Sequence, residues 1–188
     1  MNTIGVLALQ GDFALHLKKV AECGELGVEV RTVADLAGLD ALIIPGGEST
    51  TLLKFFDTEN WWDPLKAFCG THPVMGTCAG SIVMASTVTN PEQPSLDLLP
   101  ITVERNAYGR QVDSFTTRIR EHSLGGDSLP AFFIRAPKII RVGEGVEVLA
   151  RLEGEPVMVR RNRYLALTFH PELTGDLRVH RFFLNFAL

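Results

Sequence analysis

The stretch that most constrains this chain is Pro73-Val74-Met75-Gly76-Thr77-Cys78-Ala79-Gly80-Ser81-Ile82-Val83-Met84-Ala85. It is an apolar run that stops at a cysteine between two glycines and resumes at helical spacing. The pattern predicts a strand, a sharp turn and a helix, with Cys78 at the turn. Gly-x-Cys-x-Gly is the cysteine form of a nucleophile elbow, in which the flanking glycines relieve crowding around a strained backbone and the side chain is pushed out above the sheet. A thiol so placed lies at a helix N-terminus, where the macrodipole and free backbone N–H groups favour thiolate. Free cysteines are also commonly small buried hydrophobes. The pentapeptide by itself leaves both readings open.

A chain of 188 residues can bury a full core and leaves little room for a second domain, so residues 1–188 are expected to form one domain. A formal net charge of -4 gives no basic footprint for nucleic acid. No apolar run approaches the ~20 residues that span a bilayer. The first stretch, Thr3 to Gln10, lacks the basic region of a signal peptide. The expectation is a cytoplasmic protein bound to neither membrane nor nucleic acid. Cys23, Cys69 and Cys78 are spaced for neither a disulfide framework nor a zinc site.

Ile4 to Leu9 is continuously apolar, as in a strand buried on both faces of a parallel sheet. Gln10-Gly11-Asp12 then turns the chain into a helix from Phe13 to Leu26, ended by Gly27. His16, beside Lys18 and Lys19, reads as a solvated histidine on that helix. Val28 to Val33 predicts a second strand and Ala41 to Ile44 a third. Pro45-Gly46-Gly47-Glu48-Ser49-Thr50-Thr51 follows, with Ser49 or Thr50 as helix cap and the paired glycines as an anion or oxyanion site. It is not a P-loop, because the Lys-Ser/Thr pair is missing. A short helix begins near Trp61-Trp62-Asp63-Pro64, and the elbow comes next.

Beyond the polar loop Asn90 to Ser95 the segments become shorter and turn-rich. Strands are expected at 101–103, 114–117, 132–135, 146–149, 157–159 and 165–169, mixed or antiparallel and joined to the parallel half. A final helix runs from Leu177 to Phe186. The last strand ends in Phe169-His170-Pro171-Glu172-Leu173, at the sheet edge expected to carry Cys78. There His170 suits a base and Glu172 its orienter in cysteine-based acyl transfer. Arg105-Asn106-Ala107-Tyr108-Gly109-Arg110-Gln111-Val112-Asp113-Ser114-Phe115 reads either as a solvated hairpin or as the source of an arginine for a substrate carboxylate.

Taken together, the elbow and Phe169-His170-Pro171-Glu172 resemble the class I (triad) glutamine amidotransferases. The Arg105–Phe115 string, Leu9-Gln10-Gly11-Asp12, Pro45 to Thr51, Phe133 to Pro137 and His170 to Thr174 narrow the resemblance to the glutaminase subunits of pyridoxal 5′-phosphate synthase, over essentially the whole chain. The resemblance implies an α/β, flavodoxin-like fold: a mostly parallel central sheet flanked by helices, with added antiparallel strands in the C-terminal half. It implies hydrolysis of L-glutamine by Cys78, His170 and Glu172. Glutamine would be held by Gly46, Gly47, Glu48, Arg105, Ile134 and Arg135, and the oxyanion by the N–H groups of Ala79 and Gly47 with Gln10 beside them. No metal or organic cofactor is implied. The implied partner is a separate (β/α)₈-barrel synthase subunit, in a large hetero-oligomer, that receives the ammonia and switches on an otherwise poor glutaminase. The alternatives are a subunit of another class I amidotransferase, which would lack the Arg105–Phe115 string, or a related cysteine hydrolase. A non-catalytic scaffold would normally have lost its nucleophile or base.

Overall fold

The computed structural model describes residues 1–107 and 114–188. The parallel half comprises β1 (Thr3–Leu7), α1 (Phe13–Glu22), β2 (Leu26–Val30), β3 (Ala41–Ile44), α2 (Ser49–Thr58), α3 (Trp62–Thr71), β4 (Val74–Thr77) and α4 (Ala79–Met84). There follow β5 (Ala85–Thr89), β6 (Leu99–Glu104), β7 (Ser114–Ile119), β8 (Glu121–His122), β9 (Leu129–Ile134) and β10 (Lys138–Val142). The chain closes with β11 (Glu147–Leu152), β12 (Glu155–Arg161), β13 (Tyr164–Leu167) and α5 (Arg178–Ala187). The main sheet has the order β2-β1-β3-β4-β13-β12-β11-β8. Pairing is parallel from β2 to β13 and antiparallel from β13 to β8. This is the expected mostly parallel α/β sheet, with its antiparallel extension drawn from the C-terminal half. Among the described residues no helix is long and apolar enough to cross a membrane.

The continuous apolar runs have a direct cause. Side chains alternate between the faces of a strand, and here both faces are covered. Leu42 and Ile44 of β3 join a core with Leu52, Phe56, Trp61, Leu65 and Val83 from α2, α4 and the residues in and before α3. Ala41 and Ile43 of the same strand join the opposite core with Val20 of α1 and Val179, Phe183 and Leu184 of α5. Trp61 and Phe56 are fully buried, so the paired tryptophans open α3 as packing residues.

Several boundaries differ from expectation. α1 ends at Glu22, and β2 begins at Leu26. Gly27 is thus a strand residue opposite Ile4, and a Cβ there would crowd Leu17 of α1, which suits a close helix–strand approach rather than a stop. The elbow helix is only six residues long, and Ala85 to Thr89 continues as β5. β5, β6 and β10 form a small sheet of their own, and β7 and β9 a two-stranded one, so these do not join the parallel half directly. β8 and β10 carried no signal strong enough to be expected. The N-cap of α2 is Glu48, whose Oε1 accepts from the Thr50 N–H, whereas Ser49 is the first helical residue and donates its hydroxyl to Gln93 Oε1 at 3.1 Å.

Close backbone approach explains the glycines around the elbow. A Cβ on Gly80 would fall on the Ile44 carbonyl oxygen, and one on Gly76 would meet Gly80 and Met84. Helix α4 can lie against β3 only because position 80 has no side chain. Gly80→Ala should therefore cost about 1–3 kcal/mol. Urea unfolding should show a lower midpoint at unchanged slope; wild-type stability would contradict this packing.

Candidate active site

Strand β4 ends at Thr77, and Cys78 turns the chain with φ 49° and ψ -106°. A non-glycine residue at positive φ is strained and persists only where its surroundings over-determine it. Here the Cys78 N–H donates to Leu167 O at 2.8 Å, and its carbonyl accepts the Ser81 hydroxyl at 2.7 Å. The side chain faces β9, with Sγ 3.8 Å from Ile134 O. In the first turn of α4 the N–H groups of Ser81 and Ile82 donate to Cys78 O, which leaves those of Ala79 and Gly80 with no intrahelical acceptor.

Thr77 pairs with Leu167 in the parallel register of β4 and β13. The segments that leave these two strands therefore emerge side by side. His170 arrives on the second of them, its N–H donating to Phe132 O at 2.8 Å. Its Nδ1 lies 2.7 Å from Glu172 Oε1 within a short 3₁₀ turn, and both side chains are buried. A Cβ on Gly46 would touch both the His170 ring and Cys78, which places the two side chains together. His170 Nε2 makes no well-formed hydrogen bond among the described residues. Burial alone would lower the His170 pKa, but hydrogen bonding and charge from Cys78 and Glu172 outweigh it and raise the pKa to about 10. The site favours an imidazolium between a sulfur and a carboxylate.

Contrary to the sequence reading, His16 is not solvated. It is fully buried, with Nε2 3.3 Å from Glu172 Oε2 and 3.3 Å from Thr77 Oγ1. The signal was available: His16 stands three residues after Phe13 and four before Val20, on the apolar stripe of α1 rather than on its lysine face.

A cleft of about 220 Å³ opens over Cys78, a scale suited to one amino acid and below the ~300–1,000 Å³ of pockets that take drug-sized ligands. Gly47, Glu48, Cys78, Arg105, Ile134, Arg135 and His170 all line it. Glu172 stands behind His170, and Gly46 lies under it. Arg105 is buried, and its Nη2 lies 3.4 Å from Glu48 Oε1. Gln10 is outside the lining; its Oε1 accepts from Glu48 N at 3.0 Å and its Nε2 donates to Glu48 O at 2.9 Å, so it fixes the backbone next to Gly47. Gly47 has φ 142°, a conformation that L side chains rarely adopt. Gly11, Asp12, Ser49, Ile82, Asn106 and Pro137 also border the cleft, none of them given a binding role in the sequence reading. Tyr108 to Asp113, the centre of the arginine-rich string, lies outside the described residues.

The other thiols differ in kind. Cys69 is buried and its thiol is pushed up to about 12 by desolvation. Cys23 caps α1 and is raised by partial burial.

A cysteine at an elbow beside an imidazole–carboxylate pair just beyond the adjoining parallel strand is the arrangement of a cysteine-dependent acyl-transfer enzyme. Comparison with known proteins makes the class specific. Residues 6–187 match the SNO glutamine amidotransferase family. The chain is 50% identical over 190 residues to a protein of Solibacter usitatus named pyridoxal 5′-phosphate synthase subunit PdxT, covering 98% of this chain and 99% of that one. It is 53% identical over 183 residues to the protein of the same name from Pelotomaculum thermopropionicum, covering 97% and 93%. A crystal structure of a glutamine amidotransferase superposes with a TM-score of 0.90 at 49% identity, covering 98% of both chains. The chain belongs to the SNO glutamine amidotransferase family, and it is an enzyme of that class.

The raised His170 pKa has a kinetic consequence. A base that must return its proton to the leaving group works while it can hold that proton, so the alkaline limb of glutamine turnover should lie well above the ordinary 6.5, toward about 10. A limb between about 6 and 7 would contradict the imidazolium pair.

Proposed function

We propose that Cys78, with His170 as proton carrier and Glu172 as its orienter, hydrolyses L-glutamine to L-glutamate and ammonia. The observation that carries this reading is the placement of Cys78 and His170 by one parallel register, with Glu172 2.7 Å from the imidazole. The Cys78 thiolate attacks the side-chain amide carbon, and the negative charge on the tetrahedral oxygen falls toward the N–H groups of Ala79 and Gly47. The His170 imidazolium gives its proton to the amide nitrogen, the C–N bond breaks and ammonia leaves. His170 then takes a proton from water, which attacks the γ-glutamyl thioester and releases glutamate and thiolate.

Arg105 suits the substrate α-carboxylate and Glu48 the α-ammonium, with Gly46, Gly47, Ile134 and Arg135 supplying backbone and walls. A site that pairs both charges disfavours simple amides, which forfeit both ion contacts. No step calls for a metal or organic cofactor.

The chain is the glutaminase subunit of pyridoxal 5′-phosphate synthase, and it works with a synthase subunit. In finer terms, residues 1–188 act as one glutaminase domain in the cytoplasm. The partner is a (β/α)₈ barrel in a large hetero-oligomer, and it takes the ammonia before water protonates it. The partner also activates the subunit, by selecting the Gly46–Gly47 peptide orientation that turns an N–H toward the oxyanion. Glycine at φ 142° allows that rotation at little steric cost, and a Cβ on Gly47 would press on the Gln10 side chain.

Glutamate release with and without the synthase subunit tests the proposal. Cys78→Ser should abolish turnover with the fold intact. His170→Asn should lose about 10²–10⁴-fold and Glu172→Gln less. Gly47→Val should still bind the partner but no longer respond to it. A lone subunit as fast as the complex would overturn the gating, and an active Cys78→Ser protein the assignment of the nucleophile.

A further inference from the structure

Two buried histidines stand behind the triad with no part in the steps above. His16 on α1 and His180 on α5 are both inaccessible to solvent. His16 Nδ1 lies 3.0 Å from His180 Nε2. On its other side, His16 Nε2 is 3.3 Å from Thr77 Oγ1 and 3.3 Å from Glu172 Oε2. Thr77 immediately precedes the nucleophile, and Glu172 holds the base. One imidazole therefore touches both the orienting carboxylate and the residue before the nucleophile.

The hydrogens can be assigned from this geometry. An ionised carboxylate only accepts, so His16 Nε2 must carry the hydrogen, since a bare nitrogen would set its lone pair against the carboxylate. Nε2–H bonds Thr77 Oγ1 and also lies toward Glu172 Oε2, its nitrogen 3.3 Å from that oxygen, which has no well-formed hydrogen bond among the described residues. A neutral His16 then presents a bare Nδ1, which accepts from His180 Nε2–H. That leaves His180 Nδ1 as a lone pair, and this atom is buried without a partner among the described residues. An orphaned acceptor is tolerated better than an orphaned N–H.

Both rings stay neutral. Desolvation is the leading cause in each case, taking His16 well below its ordinary range with help from His180 and His170, and lowering His180 to about 3 with help from Lys19 against Glu22. The charged or titratable groups facing the pair are Glu172 and His170 from the catalytic turn and Lys19 and Glu22 from α1, with Asp12 beside His170 and Glu172.

We propose that His16, fixed in its tautomer by His180, is a positioning residue for the triad. Its Nε2–H steadies the free oxygen of Glu172 and, through Thr77, the strand end that carries Cys78. This deepens the glutaminase reading and rests on it. A pair that merely filled space would serve as well with an apolar side chain of similar size, whereas removing the imidazole takes from a buried carboxylate oxygen the N–H whose nitrogen lies 3.3 Å away.

The test measures glutamate release against pH for the complex of the full chain with its synthase subunit, in wild type, His16→Leu, His16→Gln, Glu172→Gln and the double variant His16→Leu/Glu172→Gln, with thermal melting alongside. His16→Leu should lower kcat by about 10-fold or more. It should leave KM for glutamine nearly unchanged and move the alkaline limb to lower pH. His16→Gln should recover most of the loss, because its carboxamide keeps a donor toward Glu172 and an acceptor toward His180. In the Glu172→Gln background, His16→Leu should cost little more. Equal losses in the two His16 variants with the limb unmoved, or a full His16→Leu cost without the glutamate, would overturn the proposal. Should His16→Leu not fold, the ring ¹⁵N signals of the wild-type chain decide: both histidines should be neutral Nε2–H tautomers, and an Nδ1–H His16 would overturn it. A wild-type complex that releases no glutamate would instead sink the glutaminase reading, while the tautomers would still decide how the pair is held.

Discussion

The site depends on one pairing, that of β4 with β13. Residues 77 and 167 lie some ninety positions apart in sequence yet are opposed in a parallel ladder. Because the strands run the same way, their carboxyl ends coincide, and the turns that leave them share one edge. Cys78 is tied to this ladder through its N–H on Leu167, and His170 follows three residues after the same leucine. A shift of one residue would exchange the faces of β13, moving Leu165 and Leu167 out of one core and Ala166 out of the other. The hydrophobic pattern therefore sets how Cys78 and His170 meet.

Around that ladder the problem is one of buried charge. An imidazolium and a carboxylate taken out of water cost free energy unless each finds partners. His170 has Glu172 on one nitrogen and faces Cys78 with the other, while Glu172 has His170 on one oxygen and Nε2 of His16 3.3 Å from the other. Beyond Glu172 lie the neutral imidazoles of His16 and His180, with Lys19 and Glu22 of α1 facing the latter. Field strength is high in such a place, so a small displacement of the carboxylate changes how well the imidazolium is held. The open side is the cleft, where Arg105 and Glu48 bring opposite charges to within 3.4 Å of one another.

Much of this was legible in the sequence because the signals were local. Ala41 to Ile44 reads as a strand because every residue is apolar, and the elbow reads from five residues. β8 is too short to show a period. β10 alternates poorly because Ile140 is exposed and the pairing with β6 slips between Ile139 and Arg141. Helix α4 stops at Met84 although Ala85 to Thr89 stays moderately apolar, since β5 pairs with a strand that lies ten residues further on. Glu48 rather than Ser49 caps α2 because the serine hydroxyl is spent on Gln93, a tertiary contact no local rule contains. His16 was misread for the opposite reason: its neighbours Lys18 and Lys19 suggested solvent, whereas its place on the Phe13–Val20 stripe was the better guide, and Lys19 is itself buried.

The account turns on a covalent intermediate at one sulfur. Rapid acid quenching of the working complex with glutamine, followed by digestion and mass analysis, reads it directly. The peptide carrying Cys78 should gain one γ-glutamyl group during turnover and lose it once glutamine is exhausted, while the peptides carrying Cys23 and Cys69 stay unmodified. Glutamate released at full rate with no γ-glutamyl adduct on Cys78 at any time, or with the adduct on another residue, would contradict the account.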